Sequence, residues 1–181
     1  MSAAFGPSAL ATPANVLTLV RVAAMPLLVV AIARGGEGWG VLALWTVLAV
    51  SDLADGWLAR RQGATRSGAF LDPLADKVLV LGAMATMVSV GLLWWVPVAV
   101  ITLREFLVSL YRSAMGRRGI SIPARMGGKI KTWAQAIAVG LILAPVSGSA
   151  YRALETFALT FAVALTVATG LQFLADGRRP T

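Results

Sequence analysis

Four aspartates carry the clearest chemistry in this sequence of 181 residues, and they make up half of its eight acidic residues. Asp52 and Asp55 lie three positions apart, and Asp72 and Asp76 lie four positions apart. On helices, such spacings put both members of a pair on one face. Carboxylates that lie this close repel each other unless a cation lies between them. Because oxygen ligands favour hard divalent ions, the pattern predicts a site for Mg²⁺ or Mn²⁺.

The amino-acid composition excludes several other kinds of site. The sequence has no cysteine and no histidine. Disulfides and thiolate zinc sites are therefore excluded, and no imidazole can act as an acid, a base or a metal ligand. Any acid–base catalysis by this chain must depend on groups such as the carboxylates.

The low share of charged residues indicates a membrane protein. The sequence is 58% hydrophobic and 13% charged, whereas soluble domains average about 25% charged residues. The net charge of +8 comes from basic residues that lie between apolar stretches. This arrangement is typical of cytoplasmic loops near anionic lipid headgroups, and nucleic-acid binding is not expected. No polar linker divides the chain, which predicts a single membrane domain over residues 1–181.

The apolar stretches predict an all-α integral membrane fold with six transmembrane helices. A hydrocarbon core about 30 Å thick needs roughly 20 helical residues to cross it. Glycine-rich segments separate the apolar stretches. The predicted spans are 16–33, 39–58, 71–92, 95–114, 130–145 and 153–173.

The basic residues predict the orientation of these spans. Arginine and lysine concentrate between the second and third spans, between the fourth and fifth, and after the sixth. The positive-inside rule then places both termini and the aspartates on the cytoplasmic side. We therefore expect a multi-pass protein of the cell inner membrane with a cytoplasmic active site.

The aspartates could also have structural roles. Asp72 precedes Pro73, which is typical of a helix N-cap followed by proline at the first helical position. We expect this role for Asp72 in addition to metal binding. Asp52 and Asp55 follow an apolar run at 41–50 and need no cap. Ionisable groups at membrane depth are costly and usually mark function.

The full pattern around the aspartates resembles a family signature. The sequence DLADGWLAR at 52–60, followed by Gly68, Asp72 and Asp76, resembles that of the CDP-alcohol phosphatidyltransferases. Their pattern is D-x-x-D-G-x-x-A-R, a variable stretch, then G-x-x-x-D-x-x-x-D, and every fixed position is filled. The family's six-helix fold agrees with the six predicted spans, so the resemblance covers nearly the whole chain.

The resemblance implies a site with two metal ions, Mg²⁺ or Mn²⁺. Asp52, Asp55 and Asp72 would be metal ligands that hold the CDP diphosphate. Asp76 would both bind metal and act as the general base for the incoming hydroxyl, whose oxygen attacks the β-phosphorus while CMP leaves. A homodimer is expected because relatives form one. The residues that would bind CDP are Asn15, Thr18, Asp52, Gly56, Ala59, Arg60 and Gly68.

Further stretches look like bacterial phosphatidylglycerophosphate synthases, a branch of this family that uses CDP-diacylglycerol and glycerol 3-phosphate. These stretches are 13–15, 17–21, 68–77, 104–106 and 128–132. Within the family, inositol phosphate, serine or phosphatidylglycerol are the alternative acceptors. An Asp-lined cation transporter is an alternative from another class. It predicts acidic residues near mid-membrane and inverted repeats, whereas these charges gather at one cytoplasmic rim and no repeat is found.

A phosphorylated acceptor requires cations, and four residues are candidates: Arg104, Arg112, Lys129 and Lys131. Arg104 lies inside an apolar span beside Glu105, where an arginine is costly unless it faces a polar cavity. Lys129 and Lys131 begin a span, so snorkelling to the membrane interface is an alternative role for them.

Overall fold

The computed structural model describes the backbone of residues 13–62, 68–117 and 126–176, and the side chains of residues 19–51, 77–115 and 127–175 except Lys129. This part of the chain is all-α, with six helices and no strand, which confirms the predicted helical fold. Each predicted span corresponds to one helix. The helices are α1 (Pro13–Gly35), α2 (Trp39–Gln62), α3 (Gly68–Ser89), α4 (Trp95–Arg117), α5 (Met126–Leu143) and α6 (Ser149–Asp176).

Glycines set the tight connection between α1 and α2. Gly36 has a φ of 59°, and its N–H donates to the carbonyl of Ile32 over 2.9 Å. This is a left-handed C-terminal cap, a conformation that costs little only for glycine. The carbonyl of Gly38 then accepts from the N–H of Leu42 at the start of α2. Two helices of 23 and 24 residues are thus joined by three residues.

The N-terminal unit, Met1–Val90, contains α1, α2 and α3. α1 packs against both of the other helices. Close packing of α1 on α3 is visible at Gly82, where a Cβ would collide with the terminal methyl of Met25. Buried apolar side chains of this unit are Leu28, Ile32, Trp45, Leu48, Leu79, Ala83, Met84 and Met87.

The C-terminal unit, Gly91–Thr181, contains α4, α5 and α6, and α6 packs against the other two helices. The hydroxyl of Tyr151, in the first turn of α6, donates to the carbonyl of Leu141 near the end of α5 over 2.9 Å. The same carbonyl also accepts from the N–H of Ala144 over 3.2 Å, so the tyrosine is its second donor at the helix end. Buried apolar residues here include Ile101, Ala138, Val139, Leu143 and Ala162. The prediction of one domain over 1–181 stays a prediction.

One helix of the described residues, at Ser149–Ala175, is both long and apolar enough to cross a membrane. The apolar parts of three other helices are shorter: Trp39–Ser51, Lys77–Ser89 and Ile130–Leu143. The arrangement of six membrane spans therefore stays a prediction.

Candidate functional site

The four aspartates lie on two helices. Asp52 and Asp55 are in the last three turns of α2, and Asp72 and Asp76 are in the first three turns of α3. The predicted helical spacing is confirmed at the backbone, so each pair lies on one face of its helix. Their side chains lie outside the described residues, and the metal site stays a prediction. The described side chains contain no group of three carboxylates that could hold a metal ion.

The prediction that Asp72 is an N-cap is wrong. α3 begins at Gly68, so Asp72 lies in the second turn of the helix. The residues at 68–71 continue the helix in the N-terminal direction. Pro73 therefore lacks the N–H that would bond to the carbonyl of Ala69, and its ring crowds that carbonyl.

The predicted CDP-binding residues also lie on these helices. Asn15 and Thr18 are in the first two turns of α1. Gly56, Ala59 and Arg60 are near the end of α2, and Gly68 is the first residue of α3. Their side chains lie outside the described residues, so their roles stay predictions.

Arg21 is a buried cation that the sequence analysis did not include among the site residues. It lies on α1 and is 2% exposed. Its Nε donates a long hydrogen bond of 3.4 Å to the hydroxyl of Ser51, the residue before Asp52 on α2. An arginine so deeply buried requires charged or polar partners. The stretch LTLVR at 17–21 contained this residue, but its burial was not evident from the sequence.

A buried cluster of charges lies in the C-terminal unit, and we call Arg104, Glu105 and Lys131 the charge triad. Arg104 Nη1 donates to Glu105 Oε1 over 3.0 Å. Lys131 Nζ, on α5, donates to the same oxygen. The side chains are 15%, 10% and 7% exposed, respectively. The structure therefore brings together two of the four predicted acceptor-binding cations.

Arg104 is held from α6 as well. Its Nη2 donates to the hydroxyl of Thr169 over 3.1 Å, and that hydroxyl donates to the carbonyl of Leu165. The arginine side chain lies along Gly170, where a Cβ would be 3.0 Å from Arg104 Cγ. Gly127 on α5 gives similar room, because a Cβ there would be 3.1 Å from Thr169 Cγ2. Small residues thus let the polar side chains enter between α4, α5 and α6.

The charge triad carries a net charge of +1, because two cations share one carboxylate. A guanidinium has five N–H donors. Arg104 uses one donor on Nη1 and one on Nη2, and its buried Nε has no partner among the described residues. Two cations and an unused arginine donor at a mostly buried site favour an anion as ligand.

A second buried polar pair lies beside the charge triad. Gln135 is one turn after Lys131 on α5, and its Nε2 donates to the hydroxyl of Thr166 over 2.9 Å. The two residues are 4% and 0% exposed. Both partners are neutral, so this pair joins α5 to α6 without adding charge.

Arg112 and Lys129 differ from the other two candidates. Arg112 is exposed and lies over the ring of Phe173, 5.4 Å from its centroid, in a cation–π contact. The same ring makes an edge-to-face contact with Tyr111. Arg112 is eight residues after Arg104 on α4, which is about 12 Å along a helix. The side chain of Lys129 lies outside the described residues, and its role stays a prediction.

Three residues of this region were missed as site residues: Glu105, Thr169 and Gly170. Glu105 adjoins a candidate in the sequence, and its position in an apolar span was a usable signal. Thr169 and Gly170 gave no signal, because threonine and glycine are common in such helices.

Comparisons with known proteins agree with the motif. The family model described as CDP-alcohol phosphatidyltransferase matches residues 11–168. The probable phosphatidylglycerophosphate synthase of Mycobacterium tuberculosis is 40% identical over 96% of this chain and 85% of that protein. The CDP-diacylglycerol–glycerol-3-phosphate 3-phosphatidyltransferases of Escherichia coli and Salmonella choleraesuis are each 37% identical, over 91% of this chain and 93% of those proteins.

Proposed function

Since this chain belongs to the CDP-alcohol phosphatidyltransferase family, we propose that it transfers a phosphatidyl group from CDP-diacylglycerol to glycerol 3-phosphate. The products are phosphatidylglycerophosphate and CMP. The relatives that are 37–40% identical over most of the chain carry names with this acceptor or this product. The chain is an enzyme of this family, and the choice of acceptor is the part that we propose.

The charge triad is the observation that supports a phosphorylated acceptor. Two buried cations share one carboxylate, so these three residues together carry a net charge of +1. A phosphate monoester carries about −1.5 to −2 charge at neutral pH. Arg104 and Lys131 can therefore bind the phosphate of glycerol 3-phosphate with charge-assisted hydrogen bonds. Serine has no phosphate and offers only a single carboxylate, which has an ammonium group beside it.

The aspartates would supply the catalytic part of the reaction. Asp52, Asp55 and Asp72 would hold two ions of Mg²⁺ or Mn²⁺, together with Asp76, and the helical spacing of both pairs fits this ligand set. Bound ions of this kind neutralise a diphosphate and its leaving group. The Asp76 carboxylate would accept the proton of the acceptor hydroxyl, whose oxygen forms the new bond to the β-phosphorus as the bond to CMP breaks.

The distribution of buried and exposed residues supports a membrane location. Arg21, Glu105 and Lys131 are buried, whereas many large apolar side chains are exposed. α4 shows the contrast best, because the exposed apolar residues recur at helical spacing: Leu103, Phe106, Leu107 and Leu110. Large exposed apolar surfaces mark contact with lipid or with another protein. We propose six spans in the cell inner membrane, with both termini and the aspartates cytoplasmic, and a homodimer.

One assay tests this proposal. The purified full-length protein, in detergent micelles with CDP-diacylglycerol and Mg²⁺ or Mn²⁺, is expected to release CMP when glycerol 3-phosphate is added. Inositol phosphate, serine and phosphatidylglycerol are tested in parallel as acceptors. Release with one of these and none with glycerol 3-phosphate would contradict the proposed acceptor.

A further inference from the structure

We propose that Glu105 is a positioning residue that joins Arg104 and Lys131 into one binding site for the phosphate of the acceptor. This inference rests on the proposed function and adds a residue to it. Glu105 itself does not bind the phosphate, because its carboxylate would repel that group. It acts through the two cations.

The first step of the argument is the shared oxygen. Arg104 and Lys131 come from different helices, α4 and α5, and are 27 positions apart in the sequence. Both donate to Oε1 of Glu105. Two hydrogen bonds to a single atom fix the distance between the two donors more closely than bonds to separate groups would. The carboxylate thereby determines the spacing of the cations.

The second step is the charge. Two cations that are mostly buried and lie this close repel each other strongly, because solvent screens them little. The negative charge of Glu105 offsets this repulsion and leaves a net charge of +1. Without that charge, Lys131 could lower its energy by moving towards water, since lysine has a long and flexible stem. The paired arrangement would then be lost before the acceptor binds.

The third step is the support from α6. The hydroxyl of Thr169 accepts from Nη2 of Arg104 over 3.1 Å, while Glu105 accepts from Nη1 over 3.0 Å. Two hydrogen bonds to different nitrogens fix the plane of the guanidinium. The Nε edge lies along Gly170 and remains without a partner among the described residues. Thr169 is thus a second positioning residue, which acts on the same cation as Glu105.

A kinetic comparison of three variants of the full-length protein tests this proposal. Glu105→Gln keeps the shape and removes the charge. Thr169→Val removes one hydrogen bond to Arg104 and no charge. Thr166→Val, the matched control, breaks the neighbouring α5–α6 bond to Gln135 without touching the charge triad. CMP release is measured while glycerol 3-phosphate and CDP-diacylglycerol are varied separately.

Positioning predicts a selective loss of acceptor affinity. For Glu105→Gln we expect the KM for glycerol 3-phosphate to rise about tenfold or more, while the KM for CDP-diacylglycerol changes by less than about twofold. Thr169→Val should raise the same KM by about threefold. Glu105→Asp keeps the negative charge on a shorter side chain. Its KM for glycerol 3-phosphate should lie between those of Glu105→Gln and the parent protein. Thr166→Val should lower Tm without changing the KM for glycerol 3-phosphate.

A second readout does not depend on turnover. Glycerol 3-phosphate should raise the Tm of the parent protein and of Thr166→Val, and raise that of Glu105→Gln much less at the same concentration. If the parent protein releases no CMP with glycerol 3-phosphate, the proposed function fails. If the parent is active and Glu105→Gln has an unchanged KM and an unchanged thermal shift, the role of Glu105 is overturned. If Glu105→Gln does not fold, the same two measurements are made on Thr169→Val. An unchanged KM of Thr169→Val for glycerol 3-phosphate would then overturn the proposal.

Discussion

The side chain of Arg104 crosses the backbone of Gly170 at van der Waals distance. A Cβ on Gly170 would lie 3.0 Å from Arg104 Cγ and 3.2 Å from Arg104 Nε, closer than ordinary contacts allow. α4 and α6 therefore meet at a point where one helix contributes no side chain and the other contributes an arginine. The position of the Arg104 guanidinium therefore depends on the absence of a Cβ methyl group at Gly170.

Gly170→Ala should therefore impair acceptor binding. The added methyl must displace the Arg104 stem by a few tenths of an ångström, which strains its bonds to Glu105 and Thr169. We expect the KM for glycerol 3-phosphate to rise about threefold to tenfold with little change in the KM for CDP-diacylglycerol. The control is Gly40→Ala on α2, where a Cβ would meet nothing within 4 Å. If both variants have the same KM for glycerol 3-phosphate, the close approach of Arg104 to Gly170 has no functional role.

The positions of the helices could be predicted from the sequence because the breaks between them are chemically distinct. The predicted spans at 39–58 and 95–114 begin at the first residues of α2 and α4, Trp39 and Trp95. The start of α3 was predicted three residues late, since Asp72-Pro73 has the composition of a cap. Local composition thus indicated where the apolar helices lie. It did not distinguish an Asp-Pro pair at a helix N-cap from the same pair in the second turn of a helix.

The charge triad could be predicted only in part. An arginine in an apolar span and a lysine at the start of the next are unusual enough to be noticed. Their shared contact with Glu105 depends on how α5 is rotated about its axis against α4, which no local pattern determines. The bond from Arg104 to Thr169 joins residues 65 positions apart. Such contacts follow from packing, and a sequence of apolar helices is compatible with several packings.

Replacement of Asp76 should abolish turnover. Asp76→Asn removes the proposed general base and one metal ligand, and general-base catalysis alone contributes about 10²–10⁴-fold. We expect CMP release to fall by at least about 10²-fold at saturating substrates. The matched control is Glu37→Gln, which removes a carboxylate from an exposed residue between α1 and α2. It should leave CMP release unchanged. Near-normal activity of Asp76→Asn would contradict the assignment of the base.

Chelation should remove activity reversibly. EDTA is expected to stop CMP release, and added Mg²⁺ or Mn²⁺ should restore it. The reason is that ions held by carboxylates exchange with the solution. Asp52→Asn removes one proposed ligand, so it should require a higher metal concentration for half-maximal activity. Full activity in EDTA, after dialysis against the chelator, would exclude a catalytic role for an exchangeable divalent ion.

Tyr151→Phe should destabilise the C-terminal unit without a specific effect on catalysis. The substitution removes the hydroxyl that donates to the carbonyl of Leu141. A lost hydrogen bond of this type typically costs about 0.5–1.5 kcal/mol of unfolding free energy. The expected result is a lower Tm in the same detergent, with unchanged KM values for both substrates. A Tm equal to that of the parent protein would contradict this role of the hydroxyl.

Arg104 and Arg112 should respond differently to salt. Arg104 is mostly buried within the charge triad, whereas Arg112 is exposed over the ring of Phe173. Screening by salt weakens interactions of exposed charges far more than those of buried ones. Both Arg104→Ala and Arg112→Ala should raise the KM for glycerol 3-phosphate at low salt, and the effect of Arg104→Ala should be the larger.

The comparison is then repeated at about 1 M NaCl, where the Debye length is about 3 Å. The effect of Arg112→Ala on the KM should largely disappear, because its charge is already screened in the parent protein. The effect of Arg104→Ala should persist, because its hydrogen bonds to the phosphate are direct and shielded from solvent. If the Arg112→Ala effect is the larger at both salt concentrations, the acceptor phosphate binds at Arg112, and the charge triad has a structural role only.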